Sequence, residues 1–144
     1  MFKDFIDYLR SKPAKEYFIS NKFENKIILD VSPVPKPRQT KSDVWKKRPS
    51  VMRYREFADK CREEFKKQNI TLPNTFAVFF LIQTPKSWSK KKTQEKLWTP
   101  HDQKPDRNNL TKALEDALME EDQGIWSTTE TKIWADRSQI IILF

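Results

Sequence analysis

Residues 76–82 form an uninterrupted apolar run, FAVFFLI, which ends at Thr84 and Pro85. The run is too short for an isolated buried helix, and it is rich in the aromatic and branched residues that favour strands. A strand that is apolar on both faces must be covered on both faces, as the central strands of helix-covered sheets are. We therefore predict that the fold is built around a buried central strand at this position.

The remaining elements follow from periodicity. Strands are predicted at residues 26–31, where three prolines follow, and at 125–134 and 139–144, on either side of a turn at 135–137. Apolar residues spaced by three or four predict helices at 53–68 and after Asp106, and a short amphipathic helix in the first dozen residues. The polar segment that leads to Gln103 is predicted to be a long, mobile, substrate-facing loop.

These elements predict a mixed α/β (α+β) domain, in which helices pack on a small sheet of about four strands, mixed or mostly antiparallel. The chain has 144 residues, enough for one domain with a real core. We expect residues 1–144 to form a single domain with an N-terminal helical extension at about 1–22. Strand order does not follow from the sequence.

Composition excludes several classes of function. Gly124 is the only glycine, so the chain has neither a P-loop nor a dinucleotide fingerprint, and ATP and NAD are not expected as cofactors. Cys61 and His101 are the only residues of their types, which excludes a disulfide within the chain and a multi-histidine centre. Any metal must therefore be held by oxygen ligands. No membrane segment or signal peptide is recognised, so we expect a soluble intracellular protein.

The charge distribution indicates a polyanionic partner. The net charge is +8 and the isoelectric point is about 9.6. Residues 36–55 carry eight Lys and Arg but one acid, Asp43, and residues 86–96 carry five lysines but one acid, Glu95. Aromatic residues lie within both segments or just after them, namely Trp45, Tyr54, Trp88 and Trp98. Cations with aromatics favour backbone contact and base stacking in nucleic acid, whereas the alternative is surface lysine with aromatics in the core.

Acids, amides and a lysine cluster around the helix predicted after Asp106. Asn108, Lys112, Glu115 and Met119 share the face opposite its buried leucines, and Asp116 borders that face. Mg²⁺ needs only one or two protein carboxylates together with water and substrate phosphate.

Each candidate in this cluster has a structural alternative. Asp106 is either a helix N-cap or a metal ligand, and Asp122 either folds back to pair with it or belongs to a solvated acidic turn. Lys112 either forms an exposed ion pair with Asp116 or neutralises a phosphate. His101 is either an ordinary loop histidine or a contact to DNA or to the metal shell.

The cluster resembles the signature of the RusA-like family of phage and bacterial Holliday-junction resolvases. That signature reads Lys/Arg-Pro-Asp-x-Asp-Asn-Leu-x-Lys, then Asp-Ala-Leu after three residues, then an acidic pair. The match covers roughly residues 26–144 and includes the motif that begins at Lys104 and Pro105, the acidic pair Glu121 and Asp122, and Lys132. The segments around Pro35 and around Trp88 also look like that family.

The resemblance implies a homodimeric, Mg²⁺-dependent endonuclease, with Mn²⁺ as a substitute, that binds four-way DNA junctions and makes paired symmetric nicks in recombination and repair. It implies metal binding by Asp106, Asn108 and Asp122, catalysis by these residues and Lys112, and support from Asp116 and Glu121. A cytoplasmic location in a bacterial or phage-infected cell is expected. The expected DNA contacts, mostly in the two basic segments, are Lys36, Arg38, Lys41, Lys46, Lys47, Arg48, Arg53, Lys86, Lys90, Lys91, Lys92, His101 and Lys104.

Asn108 departs from the family pattern, which has a second catalytic aspartate at this position. A neutral amide weakens metal binding, so cleavage is at risk while junction binding survives. Either Asn108 inactivates the protein, or the chain uses Glu115, Glu121 or Glu130 instead. A non-catalytic junction-binding protein is therefore the alternative function. An RNA-binding module agrees with the charge but leaves the clustered acids unexplained.

Overall fold

The computed structural model describes residues 23–121 and 123–144. The predicted N-terminal helix, the extension at 1–22 and Asp122 lie outside the described residues. The apolar run is part of strand β2, Thr75–Gln83, which lies inside a sheet with β1 (Lys26–Leu29), β3 (Ser127–Ala135) and β4 (Gln139–Leu143). The predicted central strand is confirmed.

Within the described residues the sheet has four strands in the order β1, β4, β2, β3. Strand β4 is antiparallel to both of its neighbours, whereas β2 and β3 run parallel, with Thr75 opposite Ser127 and Gln83 opposite Ala135. The prediction of a small mixed sheet is therefore confirmed. The two strands that flank the turn at 135–137 are not neighbours, because β2 lies between them.

The turn between β3 and β4 passes over the end of β2. There the backbone N–H of Thr84 donates to the carbonyl oxygen of Ala135 at 3.1 Å, and that of Gln83 donates to Ser138 Oγ at 3.3 Å. These hydrogen bonds satisfy backbone groups where the strand ladder ends.

Two longer helices pack on one face of the sheet. Helix α1, Pro49–Lys67, begins with proline at its first position and buries the predicted stripe, which includes Phe57, Cys61 and Phe65. Helix α3, Arg107–Leu118, buries Leu110 and Leu114 in the same cluster as Phe80 of β2. The opposite face of the sheet has its own apolar cluster, so β2 is covered on both sides.

The segment predicted as a long loop contains a helix, so that prediction is wrong in part. Helix α2, Lys90–Lys96, begins after Ser89, whose hydroxyl accepts a hydrogen bond from the Lys92 N–H at 3.2 Å. The helix buries no residue, so it has no apolar stripe that a sequence pattern can reveal.

The end of the same segment pairs with the outer edge of β3. The Trp98 N–H donates to the Trp134 carbonyl at 2.8 Å, and the His101 N–H donates to the Lys132 carbonyl at 3.0 Å. In the described part of the chain, no helix is long and apolar enough to span a membrane.

Candidate active site

Strand β3 presents two charged side chains on the face of the sheet where α1 and α3 pack. Glu130 lies opposite Val78 and Lys132 lies opposite Phe80, and both partners belong to the cluster formed with these helices. Residues opposite each other in neighbouring strands share a face of the sheet. Glu130 and Lys132 therefore lie on the same side as the start of α3.

Lys132 holds the chain segment that precedes α3. Its Nζ donates hydrogen bonds to the carbonyl oxygens of Gln103 and Pro105, each at 2.7 Å. Partial burial lowers the pKa of Lys132, and the negative charges of Asp106 and Asp102 oppose that shift. The contact fixes the backbone immediately before Asp106.

Asp106 occupies the N-cap position of α3, but its side chain makes no capping hydrogen bond. Its carbonyl oxygen accepts the N–H groups of Asn109 and Leu110 at 3.1 Å each. Asp106 is therefore the N-cap residue that the sequence predicts, but its carboxylate makes no capping hydrogen bond. The Asp106 side chain lies on the surface at the positive end of the helix dipole.

An open cleft of about 500 Å³ surrounds this side chain. Its lining combines two acids, three basic residues and two amides: Asp102, Gln103, Lys104, Asp106, Arg107, Asn108 and Lys132. Acids and amides are oxygen donors for a divalent cation, and the basic side chains suit a phosphate. The cleft therefore has groups for both partners of a metal-assisted phosphodiester reaction.

Glu130 reaches the start of α3 through an ion pair. Its Oε2 lies 3.1 Å from Arg107 Nε, and its side chain is 14% exposed. Of the acids considered as replacements for a family aspartate, Glu121 accepts a hydrogen bond from Gln123 Nε2 at 2.7 Å, whereas Glu130 contacts the residue after Asp106. Glu130 thus contacts a residue that lines the cleft, although Glu130 is not itself part of the lining.

Two lysines share the carboxylate of Asp116. Lys112 Nζ lies 3.1 Å from Oδ1, and Lys36 Nζ lies 3.4 Å from Oδ2. The Lys36 ammonium also lies 4.0 Å from the centre of the Tyr54 ring. The helical ion pair between Lys112 and Asp116 that the spacing predicts is present, and a second cation is added to it from the proline-rich segment.

The described residues contain no group of three or more His, Cys, Asp or Glu side chains that could hold a metal. Asp106 and Asn108 line the same cleft and supply oxygen donors, which suits Mg²⁺ because this ion keeps several waters. Asp122 lies outside the described residues, so its pairing with Asp106 stays a prediction.

His101 is buried, with 6% of its surface exposed, and its ring centre lies 4.1 Å from that of Trp134. Burial, with the nearby charge of Lys132, lowers the pKa of His101 and favours its neutral form. This burial argues against the direct DNA contact predicted for His101.

The sequence also matches a known protein family. The sequence profile of the family described as Endodeoxyribonuclease RusA matches residues 30–142. The chain belongs to the RusA family. Comparisons with curated proteins and with solved structures gave no match. Membership of the RusA family implies an endonuclease of Holliday junctions, which is a hydrolase that acts on DNA.

The two basic segments of this RusA-family chain differ in how much of their charge reaches the surface. Arg48 donates from Nε and Nη2 to the carboxylate of Asp43, each at 2.6 Å, so its charge is already neutralised. Lys41, Lys46 and Lys47 are exposed beside it. The lysines of α2 are also exposed, and the Lys92 ammonium lies 4.4 Å from the centre of the Trp88 ring.

The aromatic residues of these segments also divide into two groups. Tyr54 is buried, and Trp98 packs against the second apolar cluster, so the core interpretation holds for both. Trp88 lies against Trp134, with ring centres 4.8 Å apart. Trp45 is 73% exposed and is the one of the four whose ring is largely in solvent.

Arg107 and Lys132 were not among the predicted site residues. The family signature did include Lys132 by its spacing, but its contacts depend on a carbonyl pair 27 and 29 positions away in the sequence. Arg107 directly follows Asp106 at the start of α3, and its contact with Glu130 depends on how this helix packs against β3. No local pattern reports such contacts.

Proposed function

We propose that this chain is a Mg²⁺-dependent endonuclease that cleaves four-way DNA junctions by paired nicks. The observation that carries the proposal is the cleft at the start of α3, where the exposed Asp106 side chain lies among Lys104, Arg107 and Lys132 in a RusA-family chain. A site for nucleic acid alone would not need acids among its cations, because an uncompensated carboxylate repels phosphate.

Five of the seven residues that line the cleft have a proposed role. Asp106 and Asn108, together with Asp122, would hold Mg²⁺, and Mn²⁺ would replace it. When bound, this ion supplies Lewis acidity and lowers the pKa of water. Lys104 and Arg107 bind the phosphate, and Lys132 positions Asp106 by holding the backbone before it.

The residues farther along α3 have supporting roles in this proposal. Lys112 adds positive charge near the phosphate, Asp116 holds Lys112 and Lys36 in place, and Glu121 supports the acidic pair at the end of the helix. The products would carry a 3′-hydroxyl and a 5′-phosphate.

A homodimer suits this function because a four-way junction has two-fold symmetry, and two equivalent sites then reach two opposed strands. The protein would act where such junctions form, in the cytoplasm of a bacterial or phage-infected cell.

The test is cleavage of a labelled four-way junction in Mg²⁺ or in EDTA, with Asp106→Asn as the variant and Asp59→Asn as the control. Asp59 is an exposed acid of α1 that pairs with Arg62, so its replacement makes the same change in charge outside the cleft. We expect nicks in Mg²⁺ from the parent and from Asp59→Asn only. Equal cleavage by Asp106→Asn would remove Asp106 from the site.

Asn108 favours a second candidate function, a junction-binding protein without nuclease activity. A neutral amide in place of a carboxylate removes one charge from the proposed metal site, which weakens binding of a divalent cation. In that case the Asn108→Asp variant cleaves while the parent only binds. Cleavage by the parent would reject the second candidate and leave Asn108 as a tolerated ligand.

A further inference from the structure

The part of the first basic segment that precedes helix α1, residues 36–48 and here called the basic loop, carries two neighbouring apolar side chains that are exposed to solvent. A 3₁₀ turn spans Lys41–Val44, and Trp45 follows it. Val44 is 79% exposed and Trp45 is 73% exposed. Leaving such side chains in water forgoes the free energy that burial of a large apolar side chain supplies. The pair has no role in the core or in the cleft described above.

The turn that carries this pair is held from both ends. Asp43 is buried at 3% exposure, and its carboxylate accepts hydrogen bonds from Arg48 and from the backbone N–H of Thr40 at 2.6 Å. Arg48 also donates to the Arg38 carbonyl at 2.7 Å, and Arg55 donates to the Asp43 carbonyl at 3.1 Å. Val44 and Trp45 are therefore presented on a fixed turn, which lowers the entropy lost when they bind a partner.

The charges around the turn favour a polyanion with apolar faces. Three exposed lysines lie on either side of the apolar pair in the sequence, namely Lys41, Lys46 and Lys47. The one acid nearby, Asp43, is ion-paired with Arg48. A second copy of the chain would bring two such basic surfaces together, and like charges oppose that contact. Nucleic acid fits better, because its phosphates meet the lysines and its bases have faces on which an indole stacks.

We propose that Trp45 is a wedge that stacks on a base at the branch point of a four-way junction, with Val44 beside it. The inference deepens the proposed function and rests on it. Base pairs at an opened branch point lose a stacking neighbour on one side, whereas those inside a linear duplex have neighbours on both. Trp45 therefore adds affinity for the branch point and little for the arms.

The first test compares dissociation constants for a four-way junction and for a linear duplex of the same arm sequence, in EDTA. We expect Trp45→Ala to weaken junction binding by about 5- to 100-fold and duplex binding by less than about threefold, as loss of one stacked base predicts. Trp45→Phe retains most of the affinity. Trp126→Ala is the control, since Trp126 is 77% exposed but has no basic residue next to it in the sequence.

A second test asks whether Trp45 acts on a base. The base at each position that flanks the branch point is removed in turn, and the parent is compared with Trp45→Ala on every abasic junction. If Trp45 stacks on a base, then at one position the losses of binding free energy caused by Trp45→Ala and by removal of the base are not additive. The reason is that removing either stacking partner removes the same interaction. Additive losses at every position would overturn it.

The outcomes separate the wedge from the proposed function. If the parent prefers junctions and cleaves them while Trp45→Ala behaves identically, the wedge is wrong and the nuclease stands. If Trp45→Ala instead changes the oligomeric state without DNA, the turn is a protein interface and the wedge is wrong. If the parent does not prefer a junction over a duplex, both proposals fail.

Discussion

Lys132 Nζ lies 2.7 Å from the carbonyl oxygen of Pro105, the residue immediately before Asp106. The same ammonium holds the carbonyl of Gln103, so a lysine of strand β3 fixes the entry to helix α3. The position of the proposed metal ligand therefore depends on a side chain from another element. Catalytic groups need this kind of support, since a displacement of about 1 Å costs about 100-fold in rate.

Replacing Lys132 should affect cleavage more than binding. We expect Lys132→Met to lower the single-turnover rate at least about tenfold, because hydrogen bonds from a charged donor contribute about 1.5–3 kcal/mol. Junction affinity should change by less than about threefold. The measurement uses whichever of the parent and Asn108→Asp cleaves, with Lys66→Met as the control. An equal loss in rate and affinity would instead indicate a direct phosphate contact.

The exposed lysines of α2 should contribute to the salt dependence of DNA binding. The slope of log Kd against log salt falls by about 0.9 for each phosphate that the protein no longer neutralises. The double variant Lys90→Gln/Lys91→Gln should therefore lower the slope by about 1.8. Lys66→Gln/Lys67→Gln makes the same charge change at the end of α1 and should leave the slope nearly unchanged. Equal effects of the two pairs would mean that only net charge matters.

The ion pair that holds the basic loop should contribute to stability in a pH-dependent way. Hydrogen bonds from Arg48 and the Thr40 N–H hold the pKa of Asp43 well below its ordinary value. A carboxyl group whose pKa is lower in the folded chain stabilises the folded state at pH values above its pKa in the unfolded chain, which is about 4. That contribution is lost as the pH falls below this value.

Thermal unfolding of the parent and Asp43→Asn tests this relationship. The parent should have the higher Tm from about pH 8 to about pH 5, and the difference should shrink below about pH 4, where Asp43 of the unfolded parent takes up a proton while that of the folded parent stays ionised. A difference that stays constant down to about pH 2 would show that the Asp43 carboxylate is not stabilised by its charge.

Cys61 should be inert in the folded protein. The thiol is fully buried in α1, and burial raises the pKa of Cys61 to about 12, so little thiolate forms at neutral pH. A thiol reagent should react only after denaturation. Cys61→Ala should cost less stability than Cys61→Ser, because an unsatisfied buried hydroxyl costs about 1–3 kcal/mol. Rapid labelling of the native protein would contradict the burial.

The elements that the sequence predicts well have an apolar pattern of their own. Strand β2 is apolar from Phe76 to Ile82, and α1 and α3 have buried stripes that continue to Phe65 and Ala117. Helix α2 buries nothing and begins with a Ser89 cap, so its pattern is indistinguishable from that of a polar loop. Strand order depends on pairing energies between distant segments, which no local pattern carries.

The site was predictable where its residues lie close together in sequence. The spacing of Asn108 and Lys112 on α3 predicts one chemical face with Asp116 at its border, and the ion pair between Lys112 and Asp116 is present. The contacts of Lys132 and Glu130 come from β3, more than twenty residues away, and depend on how α3 packs against the sheet. Tyr54 and Trp98 are core residues because tertiary packing buries them. The basic residues beside them in the sequence do not indicate this packing.

The most direct measurement of the central claim is conversion of a supercoiled plasmid that extrudes a cruciform, in Mg²⁺, by the parent and by Asn108→Asp. Paired nicks by a two-fold enzyme convert the plasmid to linear DNA in one binding event, and the cuts map symmetrically to the cruciform base. We predict that result for the parent and for Asn108→Asp, with loss of all cleavage in Asp106→Asn. Cleavage by neither the parent nor Asn108→Asp, or nicks scattered outside the cruciform, would contradict the account.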